Sequence, residues 1–138
     1  MSVQGIPSSV RDALAAFDAA FARGDTGTLN VLLDQDAQLM WNNNDTIFGR
    51  DAVTSAFKEL FEWADTSAFD NTYHTVEATD TGVFAMSDFT ESLMPRDGSA
   101  GVYVSGRGVL FFRSAGDGWL ITRLLSARSA PDGVIETT

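Results

Sequence analysis

The sequence contains no cysteine and a single histidine, His74. The lack of cysteine excludes disulfide bonds, thiol nucleophiles and thiolate metal sites. With only one imidazole, a zinc site would have to consist mostly of carboxylates, which is atypical of zinc. We therefore predict neither a metal nor another cofactor.

Basic residues are also scarce. The chain has 9 Lys and Arg residues against 19 Asp and Glu residues, a formal net charge of −10, and its cations form no cluster. Such a chain repels polyanions, so nucleic acid and anionic membrane surfaces are poor partners. Most of the acidic charge is assigned to a solvated surface.

Long hydrophobic runs are absent. No segment approaches the roughly 18 consecutive apolar residues of a membrane span, and residues 1–7 lack the basic and apolar parts of a secretory signal. The predicted location is therefore the cytoplasm.

The chain does have the composition of a globular domain, since 44% of its 138 residues are hydrophobic and 20% are charged. Its length fits one domain, which most often has roughly 100–150 residues. We predict a single domain over residues 1–138, with flexible tails at about 1–7 and 130–138.

Three amphipathic helices are predicted in the first half of the chain. Gly24 ends the first helix, Asp25 can cap the second, and Gly49 precedes the third. The apolar residues of the first two recur at helical spacing, at Val10, Leu14, Phe17 and Phe21, and then at Leu29, Leu32 and Leu33.

From residue 36 the hydrophobic period changes to two, which predicts a strand ending near Trp41. Four further strands are predicted at residues 69–79, 82–94, 101–114 and 118–128, separated by turns rich in Asp and Gly. These spacings suit antiparallel hairpins. Helices followed by one long curved antiparallel sheet indicate an α+β fold.

This order of elements resembles the cystatin-like cone of the nuclear transport factor 2-like superfamily, which includes ketosteroid isomerase and SnoaL-like cyclases. Local motifs strengthen the resemblance: Phe21-Ala22-Arg23-Gly24-Asp25, Leu32-Leu33-Asp34-Gln35-Asp36-Ala37, Gly49-Arg50-Asp51-Ala52-Val53 and Gly118-Trp119-Leu120-Ile121. The resemblance implies a sheet that curls around the third helix, a ligand pocket at the open end, and a homodimer that packs sheet on sheet.

The resemblance also places the catalytic positions of ketosteroid isomerase on this sequence. The carboxylate base falls at Trp41 and the tyrosine at Phe17, and neither side chain can take that role. Many SnoaL-like members carry a histidine on the last strand, where this chain has Arg123 and Leu125. Steroid-type enolisation is therefore not expected, and a cyclase assignment is weakened.

Two other groups are candidates for acid and base chemistry. His74 shares strand parity with Val76, so its imidazole can face the pocket. Asp88 and Glu91 have opposite parities, so a regular strand sends only one of them inward. Asp88 is the candidate general base, and the alternative is a cross-strand ion pair of these carboxylates with Arg107 or Arg123.

Six residues are candidates for ligand binding. Arg107 and Arg123 would suit negative charge on a ligand, although either can be a surface counter-charge. The other four are aromatic residues placed where the cone opens, and they would suit a flat aromatic or polycyclic molecule: Trp41, Phe57, Phe61 and Tyr103.

Three functions are compatible with these features. The first is binding of a small apolar or aromatic molecule without turnover. The second is an isomerase, cyclase or dehydratase in which Asp88 or His74 transfers a proton and an arginine stabilises negative charge. The third is a homo-oligomerisation domain.

Overall fold

The computed structural model describes residues 6–42, 44–128 and the backbone of residues 135–136. The tails expected at 1–7 and 130–138 fall largely outside these residues, as does Asn43. Pro7 is described, and its carbonyl oxygen accepts a hydrogen bond from the Trp119 N–H at 3.1 Å. The start of the described chain is thus held against the sheet.

The helices are α1 (Val10–Arg23), α2 (Thr26–Leu32) and α3 (Arg50–Trp63). Ser9 caps α1 by accepting the Asp12 N–H, and Gly24 ends it in the left-handed conformation at φ 68°. Asp25 caps α2 through the Thr28 N–H at 3.1 Å. Gly49, at φ 96°, makes the sharp turn into α3. The three predicted helices are confirmed.

The strands are β1 (Leu33–Trp41), β2 (Ile47–Phe48), β3 (Ala64–Ala78), β4 (Val83–Pro95), β5 (Val102–Ala115), β6 (Gly118–Arg128) and β7 (Ile135–Glu136). They form a curved, unclosed sheet in the order β2-β1-β6-β5-β4-β3, with β7 paired to β5. The α+β cone is therefore confirmed.

The two main differences from the expected sheet are one of strand pairing and one of strand length. The β1–β6 pair is parallel, with Leu39 opposite Leu124, so the sheet is mixed. No hairpin joins these two strands, since α3 and three long strands separate them in the chain. The second difference is that β3 begins at Ala64 instead of residue 69, because α3 passes directly into the strand.

The hydrophobic core lies between the helices and the concave face of the sheet. Buried side chains of α1 and α3 contact buried side chains of the strands, among them Leu39, Ala85, Leu110, Phe112, Ile121 and Leu124. Phe21 of α1 is central, since its ring packs against Phe57 and Phe61 of α3 and Phe69 of β3. The helices and the sheet are therefore joined by aromatic contacts.

One ion pair ties the start of β1 to β5. The buried carboxylate of Asp34 accepts hydrogen bonds from Arg113 Nε at 2.7 Å and from the Asp36 N–H at 3.0 Å. Burial alone would raise the pKa of Asp34, but these hydrogen bonds and the Arg113 charge outweigh it and hold the pKa below its usual range. The ionised form of Asp34 thus stabilises the folded state.

We expect Arg113→Met to lower the free energy of unfolding by about 1–3 kcal/mol at neutral pH, because Asp34 loses a charged donor while it stays buried. Since the folded-state pKa is depressed, the stabilisation is present above the unfolded pKa of about 4 and is lost as pH falls through the folded pKa. Urea unfolding measures this effect. The difference in free energy of unfolding between wild type and Arg113→Met should be smaller at pH about 3 than at pH about 7.

Arg107→Met is the matched control. Its side chain is 81% exposed, and its Nε atom lies 3.9 Å from the exposed Asp88 carboxylate, so its loss should change stability by less than about 0.5 kcal/mol. If Arg107→Met and Arg113→Met lower the free energy of unfolding equally, the role given to Arg113 is wrong.

Candidate functional site

A cavity of about 280 Å³ lies between the helices and the concave face of the sheet. Its wall is mostly apolar and draws side chains from α1, α3 and five strands. Aromatic rings are prominent in it, including Phe17, Phe21, Trp41, Phe57, Phe69 and Phe89. Because strand residues alternate between faces, the inward side chains of β3, β4 and β5 converge on this space.

Polar groups line the cavity in two places. Asn42 follows the end of β1, and Ser126 and Arg128 lie at the end of β6. These strands run parallel, so their ends meet at one edge of the sheet. The second group, within the wall formed by β3 and β4, contains Asn71 and Glu91.

Glu91 is a carboxylate held in apolar surroundings. Its β-sheet partners are Phe69 on β3 and Val104 on β5, and all three line the cavity. Its Oε2 atom is inaccessible to solvent and has no hydrogen-bond partner within the described residues. Burial raises the pKa of Glu91 to about 7, although the positive charge of Arg128 acts in the opposite direction. Glu91 can therefore gain or lose a proton near neutral pH.

Two residues that do not line this cavity hold the side chain of Asn71. Its Nδ2 atom donates hydrogen bonds to Asp18 Oδ1 of α1 at 3.1 Å and to Tyr73 Oη at 2.9 Å, and the Tyr73 hydroxyl donates to Asp18 Oδ1 at 2.8 Å. Burial raises the pKa of Asp18, and the two hydrogen bonds offset part of that rise. Burial and the Asp18 charge both raise the pKa of Tyr73, so its hydroxyl keeps its proton.

The structure brings two of the predicted aromatic residues to the cavity. Trp41 and Phe57 both line it, with ring centroids 5.7 Å apart. Phe61 is buried beside them but outside the lining, packed on Phe21 and Phe57. Tyr103 pairs with Ser92 on the outer face of the sheet and is 39% exposed. Of the four aromatic residues predicted to line the pocket, Phe61 and Tyr103 are therefore not part of its wall.

Asp88, His74 and Arg107 lie together on the outer face, away from the cavity. Asp88 Oδ1 is 3.9 Å from both His74 Nε2 and Arg107 Nε, and all three side chains are exposed. Arg123 is also on this face, opposite Phe111, and its Nη1 donates to the Thr122 carbonyl at 2.8 Å. The cross-strand ion pair considered for Asp88 is therefore present as a loose, exposed contact.

The inward direction expected for His74 was wrong because β3 contains a bulge. The register with β4 shifts between Tyr73 and Thr75, which interrupts the alternation of faces. Val76 pairs with buried Ala85, whereas Thr72, before the shift, pairs with exposed Asp88. His74 therefore lies on the side opposite to Val76.

Glu91, and not Asp88, is the carboxylate that faces the cavity. The sequence left this choice open, and the cross-strand neighbours decide it. The Asp18, Asn71 and Tyr73 cluster was missed altogether, because Asp18 lies more than 50 residues from its partners in sequence. No local motif signals such a contact.

The described residues contain no group of three or more His, Asp or Glu side chains that could hold a metal ion. None of their helices is long and apolar enough to cross a membrane. Exposed apolar residues such as Met86 and Phe111 lie on the outer face of the sheet. Pairing of two copies through this face stays a prediction.

The fold defines this protein as an α+β cone with a cavity between its helices and its sheet. Residues 10–127 match the family model of the SnoaL-like domain, so the chain belongs to the SnoaL-like domain family. The expected membership of the nuclear transport factor 2-like superfamily is thereby confirmed. No curated protein sequence matches the chain significantly.

Solved structures with the same fold include a conserved protein from Planctomyces limnophilus, with a TM-score of 0.79, 16% identity, and coverage of 91% of this chain and 94% of that one. A ketosteroid isomerase-like protein from Erwinia carotovora atroseptica has a TM-score of 0.79, 17% identity, and coverage of 88% and 95%. An NTF2-like protein from Cytophaga hutchinsonii has a TM-score of 0.73, 12% identity, and coverage of 86% and 94%. Identities this low show the fold alone.

The protonation of Glu91 predicts a distinctive pH dependence of stability. Because its folded pKa is about 7 and its unfolded pKa is about 4.3, the native state holds a proton that the unfolded state has lost between these values. Wild-type stability should therefore fall as pH rises through this window. Glu91→Gln cannot titrate at this position. Its free energy of unfolding should therefore rise by about 1–3 kcal/mol relative to that of wild type between pH 5 and pH 8.

Chemical denaturation at several pH values measures this difference. Asp88→Asn, on the exposed face of the same strand, should show no such change relative to wild type. If Glu91→Gln and wild type differ in free energy of unfolding by the same amount at every pH, the pKa of Glu91 is not raised in the folded state.

Proposed function

We propose that the cavity binds one small, largely apolar molecule of one or two rings. The observation that carries this proposal is the space of about 280 Å³ enclosed mainly by aromatic and aliphatic side chains. Pockets for drug-sized ligands measure roughly 300–1,000 Å³, so a smaller molecule fits here. Removal of such a molecule from water against these rings supplies the affinity.

Binding can be measured with 2-methylnaphthalene, an apolar two-ring probe, through calorimetry or the fluorescence of Trp41 and Trp63, which both line the cavity. Val104, a buried lining residue, offers a way to reduce the space. We expect Val104→Phe to weaken binding at least about tenfold, because the added ring occupies volume that the probe needs.

Tyr103→Phe is the control, because Tyr103 is the residue next to Val104 and lies on the outer face of β5. This variant should bind the probe as tightly as wild type does. Circular dichroism melting confirms that each variant is folded. If the wild type fails to bind the probe up to its solubility limit, or if Val104→Phe binds as well as wild type, the cavity is not the binding site.

A second candidate function, proton transfer within the bound molecule, is favoured by the carboxylate of Glu91. A carboxylate with a raised pKa in a mostly apolar cavity is the kind of group that serves as a general base or acid. We assign the proton-transfer role to Glu91 instead of Asp88 or His74, because those two side chains face solvent on the other side of the sheet. A ketosteroid isomerase-like protein with this fold supports the class of reaction.

The reactivity of Glu91 can be tested with 5-nitrobenzisoxazole. In its elimination a base removes the C3 proton, the C–H electron pair forms the nitrile, and the N–O bond breaks to release 2-cyano-4-nitrophenolate, which is coloured. We expect wild-type catalysis to rise with pH through about 7, as Glu91 ionises. Glu91→Gln should lower the rate by about 100-fold or to background.

Asp88→Asn and His74→Ala are the controls and should leave the rate unchanged. If Glu91→Gln retains the wild-type rate, or if Asp88→Asn loses it, the assignment of the base to Glu91 is wrong.

A further inference from the structure

The orientation of the Asn71 amide is fixed from outside the cavity. A carboxylate can only accept hydrogen bonds, so Asp18 turns the NH₂ group of Asn71 toward itself. Tyr73 donates its own proton to Asp18 and is left with a lone pair, which also accepts from the NH₂ group of Asn71. The NH₂ group is therefore turned toward Asp18 and Tyr73, and the Oδ1 atom of Asn71 points away from them.

That oxygen atom is buried and has no hydrogen-bond partner within the described residues. Asn71 also lines the cavity. Most buried polar atoms in folded proteins are hydrogen-bonded, so an unpartnered one in a cavity wall indicates a group that is supplied on binding. The missing group must be a donor, because Oδ1 is an acceptor and the amide cannot turn without breaking its contacts with Asp18 and Tyr73.

Glu91 lies beside Asn71 on the neighbouring strand. Asn71 pairs with Phe89 and Glu91 pairs with Phe69, so the two polar side chains are diagonal neighbours on the concave face. Diagonal residues on paired strands are about 7–8 Å apart, within reach of one polar group of a ligand. The Oε2 atom of Glu91 is also buried without a partner. Two polar side chains, each with one buried and unpartnered oxygen atom, thus lie close together in the wall of the cavity.

We propose that the ligand carries a hydroxyl or N–H group that donates a hydrogen bond to Asn71 Oδ1, and that Asp18 and Tyr73 are positioning residues for this contact. This inference rests on the proposed binding function and narrows it to apolar alcohols, phenols or amines. Ligands of the same shape whose only polar atom is an ether or ketone oxygen are disfavoured beside Asn71, because its NH₂ group is turned toward Asp18 and Tyr73.

A matched pair of probes tests the inference. 2-Naphthol and 2-methylnaphthalene differ only in a hydroxyl that replaces a methyl group, and at about pH 6 the phenol is neutral. We expect wild type to bind 2-naphthol about tenfold more tightly, the net effect of one hydrogen bond. Asn71→Leu should reduce this preference to about onefold while its affinity for 2-methylnaphthalene is kept.

Tyr73→Phe separates positioning from packing. It removes one of the two acceptors that hold the Asn71 NH₂ group, so the amide can turn. The preference for 2-naphthol should then fall, and binding of 2-methoxynaphthalene, which can only accept, should improve relative to wild type. Tyr103→Phe makes the same change at the chain's other tyrosine, on the outer face, and should alter neither ratio. Tyr73→Phe also serves as the test if Asn71→Leu does not fold.

The outcomes are distinct. If 2-methylnaphthalene binds wild type but 2-naphthol binds no more tightly, or if Tyr73→Phe leaves both ratios unchanged, the donor requirement is overturned while the binding function stands. If neither probe binds wild type, both proposals fail.

Discussion

The cavity depends on the aromatic packing around Phe21. Its ring centroid lies 5.8 Å from Phe57, 5.3 Å from Phe61 and 4.9 Å from Phe69, so one side chain of α1 contacts both α3 and β3. Empty space in a protein persists only where the surrounding wall cannot collapse into it, and interlocked rings in fixed rotamers resist collapse. The same contacts that join the helices to the sheet therefore keep the cavity open.

An apolar wall also determines how its few polar groups behave. Burial raises the pKa of Glu91, and no hydrogen-bond donor among the described residues reaches its Oε2 atom to replace lost water. Asn71 is neutral, and its direction is set by Asp18 and Tyr73. A hydrogen bond is stronger in surroundings of low dielectric, so groups that are costly when unpartnered bind a matching ligand group well. Ligand binding and proton transfer would both use this property.

Hydrophobic periodicity and turn residues were sufficient to predict the helices and most strands, since Gly24 marks a helix end locally. The start of β3 at Ala64 could not be predicted, because no turn residue separates it from α3. In the site, alternation on β4 could not distinguish Asp88 from Glu91, since both faces of that strand carry similar numbers of apolar residues. The Asp18 contact with Asn71 arises only from the folding of α1 onto β3.

The absence of the ketosteroid isomerase residues has a limited meaning in this structure. Phe17 and Trp41 both line the cavity, and neither can exchange a proton near neutral pH. The polar groups that do line the wall come from other strands, with Asn71 on β3 and Glu91 on β4. In a cone, the inward-facing side chains of several strands surround one space. A polar side chain can therefore occupy any of these positions while apolar side chains at the remaining positions exclude water. The chemistry proposed for this cavity therefore rests on the amide of Asn71 and the titrating carboxylate of Glu91, which lie on adjacent strands.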